Sequence, residues 1–124
     1  MPTVTRKSAP DGIVKAVQTT DATLTTIATV PLADDTAYQL TAFITGRRTN
    51  AAGRAVYRRE AAVYREAAGS AVMEGPVGTP LSRESTGGYN ATIEVSGNNA
   101  LIRVQGAGGH DINWRVMYFL TKVA

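Results

Sequence analysis

Tyr89-Asn90-Ala91-Thr92-Ile93-Glu94-Val95-Ser96 alternates apolar and polar residues without a fault. Successive side chains of a strand point to opposite faces, so this is the period of a half-buried β-strand. Gly97-Asn98-Asn99 follows, three residues that tolerate positive φ and close a hairpin. Ala100 to Gln105 supplies the return strand, with Ala100, Ile102 and Val104 on one face. Gly106-Ala107-Gly108-Gly109 makes a second turn, and Ile112 to Val123 reads as a long strand. Ile112, Trp114, Val116, Tyr118 and Leu120 fall on one side of it. The other side carries Asn113, Arg115, Met117, Phe119 and Thr121, half of it apolar, so partial cover is expected there too.

The first half has the same grammar. Thr23 to Val30 is rich in threonine and β-branched residues, which favour strands. Pro31 and Asp34-Asp35 interrupt it. Ala37 to Thr45 then sets Tyr38, Leu40, Ala42 and Ile44 against Gln39, Thr41, Phe43 and Thr45. Ile13 to Thr19 fits a short opening strand, and Met1 to Gly12 has no period and reads as an extended N-terminal arm. Short strands at roughly ten-residue spacing, joined by Gly, Asn and Pro turns, predict an all-β fold. The expected architecture is an antiparallel β-sandwich, jelly-roll-like, formed as one domain over residues 13–124.

One stretch resists this pattern. Val56-Tyr57-Arg58-Arg59-Glu60 returns seven residues later as Val63-Tyr64-Arg65-Glu66, a spacing that restores one helix face, in residues that favour helix. A lone helix must bury an apolar stripe, and Ala55–Ala68 offers only two valines, two tyrosines and alanines. As a strand it places Tyr57, Arg59, Ala61, Val63 and Arg65 on one side. Gly53 before it and Gly69-Ser70 after it favour a long hairpin whose return leg runs from Ala71 to Val77, so strand is the reading taken.

Composition narrows the chemistry. The 124 residues include no cysteine, so no disulfide, thiolate nucleophile or zinc-thiolate site is available. There is no apolar run of about 18 residues to span a bilayer, and the N-terminus has no apolar stretch of the secretory type. With Met1 in place, the expectation is a whole small gene product. Net charge is +3, and Arg47, Arg48, Arg54, Arg58, Arg59 and Arg65 crowd one stretch. Nucleic-acid binders carry basic stripes, but Glu60 and Glu66 interrupt this one, which suits a subunit contact or a solvated face better than a phosphate track.

Thr25 to Tyr38, Gly46-Arg47-Arg48-Thr49, Ala55-Val56-Tyr57-Arg58-Arg59, Thr92 to Asn98 and Ile112-Asn113-Trp114-Arg115-Val116 follow one another in an order that resembles a known domain. It is similar to a β-rich domain of tailed-bacteriophage virion proteins, found in tail-fibre and tail-tip proteins and as small free-standing structural proteins. The similarity spans about Asp21 to Val123. It implies a structural or attachment role, a homotrimer, location in the virion after assembly in the host cytoplasm, and no catalytic residue.

Motifs for other functions are weak. Gly106-Ala107-Gly108-Gly109-His110 lacks the Gly-Lys-Ser/Thr and following helix of a P-loop and reads as a turn, as does Asn98-Asn99. His110 is the only histidine, with no nucleophile elbow and no cysteine to share a metal. Asp34-Asp35 and Glu60/Glu66 are the nearest approach to glycosidase carboxylates, and Asp34-Asp35-Thr36 reads more simply as a turn. Trp114 could stack on a sugar, but its apolar strand face makes it a core anchor. No enzyme activity, cofactor or metal is expected. The expected assembly interface is Arg47, Arg48, Arg54, Tyr57, Arg58, Arg59, Glu60, Tyr64 and Arg65. The leading functional expectation is decoration or cementing of a phage capsid, through self-association and contact with capsid or tail proteins. The rivals are a tail-fibre module recognising a host surface glycan and a nucleic-acid binder using Arg47–Arg65.

Overall fold

A computed structural model describes residues 12–124. The expected arm, Met1 to Gly12, therefore lies outside the described residues but for its last one. The described chain is all-β: β1 (Ile13–Thr19), β2 (Thr25–Pro31), β3 (Thr36–Arg48), β4 (Arg54–Arg65), β5 (Ala71–Met73), β6 (Gly78–Glu84), β7 (Asn90–Ser96), β8 (Asn99–Gln105) and β9 (Ile112–Val123). No helix of it is long and apolar enough to cross a membrane.

Two antiparallel sheets pack as a sandwich. The larger has six strands in the order β1-β9-β3-β4-β5, with β6 also on β4, and the smaller has three in the order β2-β8-β7. Pairings are nested: β1 pairs with β9, and β2 with β8. The β7–β8 hairpin turns at Gly97, whose φ of 57° is the left-handed conformation that a tight hairpin turn needs at its first central residue. The alternation seen in the sequence becomes burial. Leu40, Ile44, Val116 and Trp114 of the large sheet meet Val30, Ile93, Ile102 and Val104 of the small one in one continuous core.

Trp114 lies in that core at 1 % exposure, and its Nε1–H donates to Thr19 Oγ1 at 2.9 Å. Its ring rests against Gly46, where a Cβ would come within 2.5 Å of Cε3. Trp114 thus presents no platform for a sugar.

The ambiguous stretch is strand β4, with Ala55, Tyr57, Arg59, Ala61 and Val63 inward. Its partner departs from the expected single leg Ala71–Val77. β5 pairs only with Arg65 to Val63, and a separate strand β6 pairs with Ala55 to Glu60. Gly75, at φ 83°, and Pro76 break the leg between them. Pro80 cannot donate to a ladder and sits where the β4–β6 register shifts, the edge position in which proline is tolerated.

Candidate functional site

β4 divides the expected interface residues between two faces, and the division changes what they can do. Tyr57 and Arg59 point into the sandwich, at 1 % and 3 % exposure, and so take no part in an outward surface. Arginine is almost never fully buried without partners, and here the partners are mostly main-chain oxygens. Arg59 Nε donates to Ala91 O at 2.7 Å, across to the small sheet. Its Nη1 donates to Leu81 O and Ser82 Oγ, both at 2.8 Å. The guanidinium also lies over the Tyr57 ring, 4.6 Å from its centroid. Desolvation lowers the Arg59 pKa from its ordinary value. Burial, and then the hydrogen bond that Tyr57 donates to Glu84, hold the Tyr57 phenol well above the usual tyrosine range.

Arg65 is likewise held internally, donating to Gly69 O and Leu32 O at 2.9 Å and facing Asp34 at 3.4 Å. Arg48 is half-buried and bonds Asn50 Oδ1 at 2.7 Å, which fastens the β3–β4 turn. Tyr89, at 5 % exposure, meets His110 Nδ1 at 2.6 Å, a contact that uses the lone histidine to hold the β8–β9 turn. Among the described residues no group of three or more His, Cys, Asp or Glu could hold a metal ion.

The remaining members, Arg47, Arg54, Arg58, Glu60 and Tyr64, lie on the outer face of the large sheet, where the ladder aligns them with residues from distant segments. One row across the strands reads Val14, Met117, Phe43, Arg58, Leu81. Three of its apolar members are open to solvent, Val14 at 49 % and Phe43 and Met117 each at 43 %, while Leu81 is half-buried. Phe119 packs edge-on to Phe43, with centroids 5.9 Å apart, and Arg58 lies over the Phe43 ring while pairing with Glu60 at 2.8 Å.

The charges of this face are segregated along the strands. At one end Arg47 stands directly opposite Arg54, and the neighbouring row carries Arg115 and Arg83 around Thr45 and Val56. None of these four arginines has an acidic partner within 4.0 Å among the described residues. Like charges directly opposite destabilise a sheet, so the fold itself gains nothing from placing them there. At the other end Asp35, Glu66 and Glu74 line an open groove of about 450 Å³ beside Tyr64. Those three carboxylates also lack a basic partner within 4.0 Å among the described residues.

The sequence reading named the arginines of β3 and β4 but not Arg83, Arg115, Phe43 or Met117 as parts of one surface. The half-apolar outer register of β9 and the Phe43 register of β3 were the available signal. Which rows they would join depends on pairing between segments far apart in the chain.

No family model matches the chain, and no curated protein does. Among solved structures it is similar to the tailspike protein of Acinetobacter phage vB_ApiP_P1, with a TM-score of 0.53 at 12 % identity over 99 % of this chain. It also matches the tailspike protein of Acinetobacter baumannii phage AM24, with a TM-score of 0.45 at 13 % identity over 86 % of this chain. The chain spans about a quarter of each of those proteins, 24 % and 26 %. At such identity the first likeness establishes a shared β-fold.

Proposed function

We propose that the chain is a tail-type structural and attachment module of a bacteriophage virion, whose outer large-sheet face docks another protein surface and which recognises a host surface glycan. The observation that carries this is the fold likeness: 99 % of the chain superposes on part of a phage tailspike protein. A likeness to a tail protein favours this reading over capsid decoration. The rival reading as a nucleic-acid binder loses ground because Arg59 and Arg65, two members of its arginine track, are bonded to the protein's own carbonyls. The apolar row of Phe43, Met117 and Val14 supports a protein-docking role, since contiguous exposed apolar surface marks interaction sites.

The test is binding of the free protein to an array of bacterial surface polysaccharides, with blocking of phage adsorption as the functional counterpart. Saturable binding to a defined subset of glycans is expected. Absence of binding, together with cosedimentation on expanded capsids lacking this protein, would replace the tail reading with capsid decoration.

A further inference from the structure

The described arginines divide into those the chain employs and those it leaves over. Arg48 bonds Asn50, Arg58 pairs with Glu60, Arg59 and Arg65 hold main-chain carbonyls, and Arg103 bonds Thr26 and faces Glu94. The others are Arg47, Arg54, Arg83 and Arg115, all exposed and all without a carboxylate within 4.0 Å among the described residues. They fall together at one end of the outer face. Arg47 and Arg54 are a cross-strand pair, and in the next row of that face Arg115 and Arg83 flank Thr45 and Val56. Thr45 and Val56 thus form a floor with guanidinium groups on three sides.

Three adjoining grooves run past these arginines. One of about 610 Å³ lies along Arg115 and Arg47, one of about 420 Å³ along Arg47 and Arg54, and one of about 240 Å³ along Arg54 and Arg83. Successive grooves share first Arg47 and then Arg54, so they join into a trough that crosses the sheet from β1 to β6. Four interstrand steps of about 4.8 Å give it a length of roughly 19 Å. That length suits a stretch of polymer better than a single small anion. The chain enters the outer face elsewhere, at Gly12 against Met117 and Phe119. From there to Ala16, at the edge of the trough, is four residues of β1, or roughly 13 Å.

Cations placed side by side on a sheet repel one another, and an anion lying in the trough would relieve that repulsion. The residue type narrows the anion. Arginine presents a planar fork that takes a carboxylate through two parallel hydrogen bonds, while the described lysines, Lys15 and Lys122, lie outside the three grooves. Gln18, Asn113, Thr45 and Ser85 stand among the arginines, neutral side chains that exchange hydrogen bonds with hydroxyl groups. Single-stranded nucleic acid needs aromatic faces for its bases, and the only aromatic residue lining the trough among the described residues, Trp114, is buried at 1 % exposure. A sugar chain that carries carboxylates supplies both the hydroxyls and the charge.

We propose that this trough is a glycan site, and that its ligand is an acidic bacterial surface polysaccharide whose sugar carboxylates are held by Arg47, Arg54, Arg83 and Arg115. The inference rests on the glycan-recognition part of the reading above and specifies the ligand.

The full chain is tested on an array of bacterial surface polysaccharides with uronate-bearing and neutral members, and calorimetry on the bound members gives affinities. Binding is expected among the uronate-bearing members only, and it should weaken as salt screens the charges. Reducing the carboxyl groups of a bound polysaccharide to alcohols is expected to abolish binding. Arg47→Gln and Arg54→Gln are each expected to weaken binding about tenfold. Both variants should melt no lower than the wild type, because each removes a like-charge contact. Arg103→Gln removes the same charge from the small sheet and is expected to leave affinity unchanged. Binding to neutral polysaccharides, or binding indifferent to Arg47→Gln and Arg54→Gln, would overturn the proposal and leave the tail reading standing. An array with no bound member would remove the glycan reading itself, and retention of oligothymidylate by that same protein would assign the arginines to nucleic acid.

Discussion

Replacing Arg59 by methionine asks whether a buried cation with no carboxylate within 4.0 Å among the described residues holds the two sheets together or merely survives between them. Methionine keeps the unbranched stem and removes the guanidinium. The variant loses the bonds to Ala91 O, Leu81 O and Ser82 Oγ. Ser82 is exposed and its hydroxyl can turn to water. Ala91 is buried, so its carbonyl is left without that donor, and Leu81 is half-buried. Leaving buried acceptors unsatisfied costs ~1–3 kcal/mol each, or ~2–6 kcal/mol for the pair. Against this, the variant no longer desolvates a charge, which returns part of the loss. The expected net is a destabilisation of about 3 kcal/mol, or a fall in Tm of ~10 °C for a chain of this size. Arg59→Lys keeps the charge but not the planar fork, and is expected to lose about half as much. Urea unfolding at fixed protein concentration measures both, provided the m-value is unchanged. If Arg59→Met is as stable as the wild type or more so, the desolvation penalty outweighs the guanidinium's four hydrogen bonds, the one to Arg58 O included, and the bridging argument fails.

Gly46→Ala is expected to destabilise by ~1–3 kcal/mol, since its Cβ would come within 2.5 Å of the Trp114 ring, and a loss of near-ultraviolet dichroism from the indole would report it. Trp114→Ala is expected to cost about 3–5 kcal/mol, and in the wild type the indole emission should be blue-shifted and poorly quenched by iodide. Tyr57 is raised by burial and by its bond to Glu84, and Tyr118 by burial. A group whose folded pKa is raised stabilises the fold fully below its unfolded value of about 10, and that stability is lost as pH climbs beyond it. Melting temperature should therefore fall above about pH 10, Tyr57 and Tyr118 should titrate late in the phenolate absorbance, and a curve unchanged in Tyr57→Phe/Tyr118→Phe would refute the assignment.

The strands that read most clearly from sequence are those with one face in the core. β7 and β8 alternate because one side is buried and the other is wet, and the pattern survives in the burial of Ala91, Ile93, Ala100, Ile102 and Val104. β6 was not legible. Gly78-Thr79-Pro80-Leu81-Ser82-Arg83-Glu84 is largely exposed and carries a proline, so neither periodicity nor propensity marks it, and only β4's free edge recruits it. The inward turn of Arg59 was hidden for a related reason. Its acceptors come from 22 and 32 residues away, and an arginine in a strand ordinarily signals solvent. Trp114 was readable as core because its neighbours on the same face, Ile112, Val116 and Tyr118, are all apolar. The charge polarity of the outer face required knowing that Arg83 and Arg115 join the rows of Val56 and Thr45.

The antiparallel pairing of β1 with β9 also decides how the molecule bears a mechanical load. Ile13 enters the sheet opposite Tyr118, and Val123 leaves it five residues farther along the same ladder, so both ends of the described strands emerge at one end of the sandwich. Tension applied between them pulls perpendicular to that ladder and opens its hydrogen bonds in succession, beginning at Ile13. β1 is the zipper's tongue, with seven residues paired to β9, while Val123 at the other point of attack is itself paired with Ala37 of β3. Traction spread over the face of β3 and β4 meets a different resistance, because twelve register pairs there share the load in shear. A domain of this build yields gradually when drawn out by its ends and holds firm when gripped by its broad side.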